Sequence, residues 1–214
     1  CSDFQPGKKP LWRRPWPMNA ESAMPQWIYG MSTTAVSEDN ILSAICDQGI
    51  WKLKLLSLDG RIINVPQPFD DIASLQAQSG RAIAVASNSF KESGLLELDL
   101  HLGTWHHTPV RDQLLQEDEI SIPTGLWFKG SNNEMTHCWY YPPTHLGKDI
   151  APLLVKSHSG PTSMASTGLN LITQFWTSRG WGVIDVNYGG SSGFGRAYRE
   201  RLKGGWGEVD VFDC

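Results

Sequence analysis

The chain of 214 residues carries 18 Lys plus Arg against 22 Asp plus Glu, a net charge of −4, with 40% hydrophobic residues. This is ordinary for a globular protein, and beyond the short pairs Lys8-Lys9 and Arg13-Arg14 there is no basic run, which excludes an electrostatic footprint for nucleic acid or an anionic membrane surface. No apolar run approaches the roughly 18–20 residues that span a bilayer, and nothing near Cys1 resembles an export leader, so the expectation is a soluble, cytoplasmic protein with no membrane partner.

The four cysteines, Cys1, Cys46, Cys138 and Cys214, are far apart and form no CxxC or His/Cys pair at metal-ligand spacing, so neither a zinc site nor a disulfide framework is expected. Buried, unreactive thiols in a reducing compartment are the simpler reading. The chain lacks Met at position 1 and ends on an apparent helix start at Val209 without a stop signal, so both ends read as cuts.

The first half has β-type patterning. Residues 30–36 and 40–46 read as paired strands, and residues 50–58 alternate apolar and polar before the turn dipeptide Asp59-Gly60. A short strand follows over 81–87, then a second alternating run over 95–102 that ends in Gly103. The two turn glycines are 43 residues apart, about one blade of a β-propeller. Two blades therefore fit before about residue 118, although an antiparallel sandwich has the same kind of strands.

After Ile120 the pattern changes. A β-rich run over 135–141 stops at Pro142-Pro143, and a short strand over 153–157 leads into His158-Ser159-Gly160-Pro161. A helix is predicted over about 168–178, with Leu169, Ile172, Phe175 and Trp176 on its apolar face. A buried parallel strand is predicted over 181–187, followed by a glycine-rich turn at 189–195 and a second helix over about 196–202. Strand, helix, strand, helix is the pattern of an α/β domain.

The motifs His158-Ser159-Gly160-Pro161, Ser178-Arg179-Gly180-Trp181 and Asn187-Tyr188-Gly189-Gly190-Ser191-Ser192-Gly193-Phe194-Gly195 run on through Arg196-Ala197-Tyr198-Arg199-Glu200-Arg201-Leu202 to Trp206-Gly207 and Asp210. In order and spacing they resemble the prolyl oligopeptidase family of serine peptidases, nearest its dipeptidyl aminopeptidase and acylaminoacyl-peptidase-like members. The resemblance implies an α/β chain: residues 1–118 as C-terminal blades of a β-propeller, about two in number, and residues 119–214 as the N-terminal part of an α/β-hydrolase domain. It implies acyl transfer on short peptide substrates without metal or organic cofactor, and a catalytic Ser, Asp and His beyond Cys214. No catalytic residue is expected within the chain. A homo-oligomer stays open. Two positions depart from the family pattern: Ser159 replaces the usual first glycine of the loop, and Gly189 replaces a frequent arginine.

Acyl transfer needs a nucleophile, a base, an orienting acid and oxyanion donors. The resemblance places the oxyanion side of the pocket at His158, Ser159 and Gly160, with the Gly160 amide as donor and His158 as an orienting, hydrogen-bonded residue. Ser159 brings a Cβ where glycine would leave the backbone free. Asn187 and Tyr188 are expected to line the same pocket. Gly189-Gly190-Ser191-Ser192-Gly193 is a literal GxSxG between a strand and a helix, but it follows the oxyanion loop closely and the resemblance places this segment one strand ahead of the nucleophile elbow, so Ser191 reads as a pocket turn. The pair His106-His107 reads as a solvated turn, and Asp210 with Asp213 as favourable charge at a helix N-terminus. The rival readings are an esterase-like α/β-hydrolase and a non-catalytic, propeller-containing binding module.

Overall fold

The computed structural model describes residues 6–9, 14–25, 27–145, 150–160 and 162–214. Three four-stranded sheets account for the β structure. The first joins β1 (Thr34–Ser37), β2 (Asn40–Asp47), β3 (Ile50–Ser57) and β4 (Ile62–Asn64) in simple up-and-down order. The second repeats that order with β5 (Asp71–Gln78), β6 (Arg81–Ser87), β7 (Gly94–Asp99) and β8 (Thr104–Pro109). Every pairing in both sheets is antiparallel, which is the form of a propeller blade.

These two sheets share one apolar core. Leu42, Ala44, Cys46, Trp51 and Leu53 of the first meet Ile72, Leu75, Leu96 and Leu98 of the second, with Phe69 just before β5. On β6 it is the small residues Ala82, Ala84 and Ala86 that turn inward, while Ile83 and Val85 face out. Alanines on the shared face let the sheets approach closely, and the leucines of β7 fill the remaining volume, each side chain contributing about 1.5–3 kcal/mol on full burial.

The third sheet is mixed. Its order is β11 (Leu153–Ser157), β12 (Gly182–Asn187), β10 (Met135–Tyr141) and β9 (Thr124–Lys129). Strand β12 pairs parallel with β11 and antiparallel with β10. Its Val183 and Val186 are fully buried, as a central strand covered on both faces requires. Helix α1 (Leu171–Thr177) makes the crossover from β11 to β12, and the short helices α2 (Arg196–Glu200) and α3 (Val209–Phe212) follow.

Several expectations change. Helix α1 starts only at Leu171, because the Asn170 side chain caps it by accepting from the amides of Ile172 and Thr173. Its buried face is polar: Thr173, Gln174 and Thr177 point inward, while Ile172 is 73% and Phe175 47% exposed. Of the predicted apolar face, Trp176 packs inward against Trp139, Tyr141, Ala165 and Val183. The inversion has a physical cause in the segment before β9. Ser121 is buried, and the Gln174 amide accepts from its N–H at 2.7 Å and donates to its carbonyl at 3.0 Å. His106 and His107 lie within strand β8 rather than a turn, with the His107 ring against Phe69. Cys46 and Cys138 are buried but Cys214 is exposed, and Cys1 lies outside the described residues.

The two faces of α1 differ measurably. Gln174→Ala leaves a buried N–H and carbonyl unpaired and is expected to cost about 1–3 kcal/mol in urea denaturation. Ile172→Ala, on the face predicted to be buried, is expected to stay within about 0.5 kcal/mol. Equal losses would contradict this assignment of the faces.

Candidate functional site

Strand β11 runs out at Ser157 into residues 158–160, and β12 runs out beside it into the turn at 189–195. Because the two strands are parallel neighbours, their carboxyl ends bring the loop and the turn together, the position where open α/β sheets bind ligands. Pro161, the last residue of the predicted loop motif, lies outside the described residues.

His158 is the centre of the arrangement. Its imidazole stacks on the Tyr188 ring with centroids 4.3 Å apart and planes at 27°. Its Nε2 lies 2.7 Å from Ser191 Oγ, and its Nδ1 lies 2.9 Å from the Ser159 carbonyl and 3.3 Å from the Tyr188 hydroxyl. A carbonyl only accepts, so Nδ1–H is the donor to Ser159, and the single Ser191 hydroxyl proton is shared between His158 Nε2 and the Tyr188 carbonyl. The Ser191 Oγ is also 2.9 Å from the Tyr188 carbonyl, which receives the Ser191 amide at 2.9 Å. Burial lowers the His158 pKa, opposed by the Ser159 carbonyl and by the charge of Asp185. Asp185 itself is raised chiefly by burial, and Lys156 Nζ holds it at 2.7 Å.

A serine bonded to a histidine suggests a nucleophile and its base, yet three features differ from that arrangement. Ser191 is completely buried. Its φ is not positive, whereas a nucleophile elbow holds its serine on a strained turn, and here the positive φ values fall on Gly190 and Gly193. The acceptor for His158 Nδ1–H is a backbone carbonyl rather than a carboxylate.

Among the described residues the Gly160 amide donates to no acceptor, so it is a backbone N–H at the strand's carboxyl end available to a ligand. A Cβ on Gly160 would stand 2.7 Å from the Trp206 ring, so the indole lying over this backbone requires glycine here. Ser159 does not take a positive φ, and its Cβ therefore does not strain the loop. Tyr188 joins the His158 cluster, but Asn187 turns the other way: its Oδ1 accepts from the Ala165 amide at 2.8 Å and its Nδ2 faces His137 Nδ1 at 3.2 Å.

Sequence reasoning missed three contributors. His137 lies among Trp127, Trp139 and Phe194, 2% exposed, with a pKa pushed down by burial to about 4. Glu21, far upstream, accepts from the Gly193 amide and pairs with Arg199. Asp213 stands at the C-terminal end of α3, not at its start, and accepts from the amides of Ser131 and Gly189, both at 2.6 Å. Asp210 does sit in the first turn of α3 and accepts from the Gly207 amide at 2.7 Å. Asp213 lies three residues after Asp210, the last residue of the family-like motif, whereas no motif marks Glu21.

The fold and this loop-and-turn site define an α/β sheet with a backbone donor at its carboxyl end, joined to blade-like antiparallel sheets. Residues 167–214 match the model of the prolyl oligopeptidase family. The uncharacterized peptidase YuxL of Bacillus subtilis is 25% identical over 170 residues, 78% of this chain and 26% of the relative. Dipeptidyl-peptidase 4 of Giardia intestinalis is 31% identical over 98 residues, 44% of this chain and 12% of the relative. Among solved structures, a Mycobacterium tuberculosis puromycin-hydrolyzing peptidase superposes with a TM-score of 0.90 at 30% identity, over 98% of this chain and 33% of that one. A puromycin hydrolase gives 0.87 at 33% identity, over 94% of this chain and 32% of that one. Residues 167–214 are thus similar to the prolyl oligopeptidase family, and the chain spans about a third or less of the length of these relatives.

Burial of His137 has a pH signature. Its folded pKa, about 4, lies below the ordinary 6.5, so the unfolded chain binds the extra proton between those values. The stabilisation is complete above pH 6.5 and is lost as pH falls toward 4, by up to about 3 kcal/mol. Urea denaturation at pH 7 and pH 4.5 is expected to give a smaller acid loss for His137→Gln than for the native chain; equal losses would reject the assignment.

Proposed function

We propose that the protein is a serine peptidase that hydrolyses short peptides by acyl transfer, with dipeptidyl or acylaminoacyl peptidase activity, and that this chain supplies the oxyanion side of its pocket. The observation that carries the reading is the Gly160 amide, unpaired among the described residues at the carboxyl end of β11. On this reading Gly160 N–H receives the oxyanion of the tetrahedral intermediate, as the glycine of such a loop does in α/β-hydrolases. His158 orients the loop, and Tyr188 backs the His158 ring. The Ser, Asp and His of the triad belong to sequence beyond Cys214. Residues 1–118 are then propeller blades that screen the pocket, and 119–214 the opening half of an α/β-hydrolase domain. No metal or organic cofactor takes part, and the compartment is the cytoplasm.

A second reading takes Ser191 and His158 as nucleophile and base, favoured by their 2.7 Å separation. It requires a substrate carbonyl to reach an Oγ that is fully buried, and a near-attack distance of about 3–3.5 Å cannot be met without moving the turn. The first reading needs no such movement.

A fluorophosphonate probe separates the two. The 214-residue chain is expected to stay unlabelled, and the longer protein to be labelled at a serine beyond Cys214. Stoichiometric adduct on Ser191, located by peptide mass spectrometry, would establish the second reading instead.

A further inference from the structure

Asp213 has no part in the chemistry proposed above, yet it is 3% exposed. A carboxylate so placed is costly unless its charge is answered. No cation pairs with Asp213 among the described residues; its two oxygens each accept one backbone amide at 2.6 Å, Ser131 N on Oδ1 and Gly189 N on Oδ2. Bonds of this kind to an ionised acceptor are short and about twice as strong as neutral ones. Both amides lie beside a glycine that lets the carboxylate approach. A Cβ on Gly130 would stand 2.2 Å from Oδ1, and one on Gly189 3.3 Å from Oδ2.

The Gly189 N–H shares a rigid plane with the Tyr188 carbonyl, and the two groups of a trans peptide point in opposite directions. Holding the N–H toward Asp213 therefore aims the carbonyl the other way, where it receives the Ser191 amide at 2.9 Å and stands 2.9 Å from Ser191 Oγ. The same plane fixes the Cα from which the Tyr188 ring reaches the His158 imidazole. One carboxylate on α3 thus governs both groups that touch His158 from the turn.

We propose that Asp213 is a positioning residue for the His158 cluster, acting through the Tyr188–Gly189 peptide plane to set the Tyr188 ring against the imidazole and the Ser191 hydroxyl on its Nε2. Its relevance to catalysis rests on the pocket assignment made under Proposed function; its effect on His158 does not. The groups facing His158 are the Ser159 carbonyl on its own loop, the Tyr188 and Ser191 hydroxyls on the turn, and the charge of Asp185 on β12, which Lys156 on β11 neutralises.

The test is the pH titration of the His158 imidazole by nitrogen-edited NMR, assigned by its loss in His158→Gln. In Asp213→Ala the midpoint is expected to move up toward the ordinary value of 6.5 as the ring is hydrated, and Tyr188 to lose its contact shift on the imidazole. If Asp213→Ala does not fold, Asp213→Asn is read the same way, since the isosteric amide leaves one of the two N–H groups without an acceptor. A folded variant whose melting temperature falls while His158 titrates as in the native chain overturns the proposal, because that is what a purely structural residue gives. In the longer protein Asp213→Asn is expected to lower kcat by roughly ten- to a hundredfold with KM little changed. A moved His158 midpoint with unchanged kinetics supports the positioning role and counts against the pocket assignment.

Discussion

The glycine-rich turn after β12 is held at two amides by two carboxylates from opposite ends of the chain, one buried and one partly buried, and the site depends on this. Gly189 N–H is held by Asp213 and Gly193 N–H by Glu21. Between them lies Ser191, with His158 on its hydroxyl. A turn of this composition would otherwise be among the most mobile parts of a fold, since Gly190 and Gly193 occupy positive φ at 122° and 90° and glycine loses the most freedom on ordering. Charge-assisted bonds at its two ends supply the restraint that side-chain packing cannot.

The two anchors are electrostatically different. Among the described residues Asp213 is met by amides alone, whereas Glu21 also pairs with Arg199. The Glu21 backbone is itself bridged to β2, donating to the Cys46 carbonyl at 2.8 Å and accepting from its amide at 2.7 Å. The turn is therefore tied to the first blade-like sheet as well as to its own. Packing follows the same line: a Cβ on Gly193 would stand 2.8 Å from Met164 Sδ and 3.0 Å from Cys46 Sγ. A second seam joins the second sheet to the loop before α1, through Ser89 Oγ donating to the Thr167 carbonyl at 3.1 Å and the Leu169 amide to that of Asn88 at 2.9 Å. Asp70 and Asp71 lie along it, and burial raises both their pKa values. The junction between the sheets thus combines specific polar bonds with apolar contacts, Met164 packing on the core of the blade-like sheets and Ile50 on that of the third sheet.

Strands bounded by turn chemistry were legible in the sequence. Arg81–Ser87, Met135–Tyr141 and Leu153–Ser157 have the limits their flanking Gly, Pro and polar residues imply. Thr124–Lys129 was not legible, because five of its six residues are exposed and no alternation marks an inner face. Asp71–Gln78 was hidden by an irregularity between Ala73 and Gln76, where Ser74 takes a φ of 54° and breaks the period of two. The face of α1 was misread for a different reason: its apolar residues suggested burial, but the need to satisfy Ser121 put Gln174 inside. For the site, local motifs located the loop and the turn. What they do not contain is pairing at long separation, and the bond from His158 to Ser191 spans 33 residues while that from Gly193 to Glu21 spans 172.

Family resemblance and catalytic competence rest on different groups in this chain. The motifs that carry the resemblance mostly hold the turn and loop in place: Trp206 lies over Gly160, Tyr198 donates to the Asn187 carbonyl and receives the His137 amide, and Arg201 reaches the Met135 carbonyl at 2.7 Å. The Ser191 hydroxyl bonded to His158 is sealed from solvent, and the Gly160 donor, without a partner among the described residues, is a single amide. An oxyanion hole uses two donors aimed at the developing charge, so on the proposed reading the Gly160 amide acts with a partner that arrives with the nucleophile. On that same reading the buried Ser191–His158 bond fixes the loop that carries Gly160, and the serine of the GxSxG turn supports the proposed oxyanion site rather than attacking.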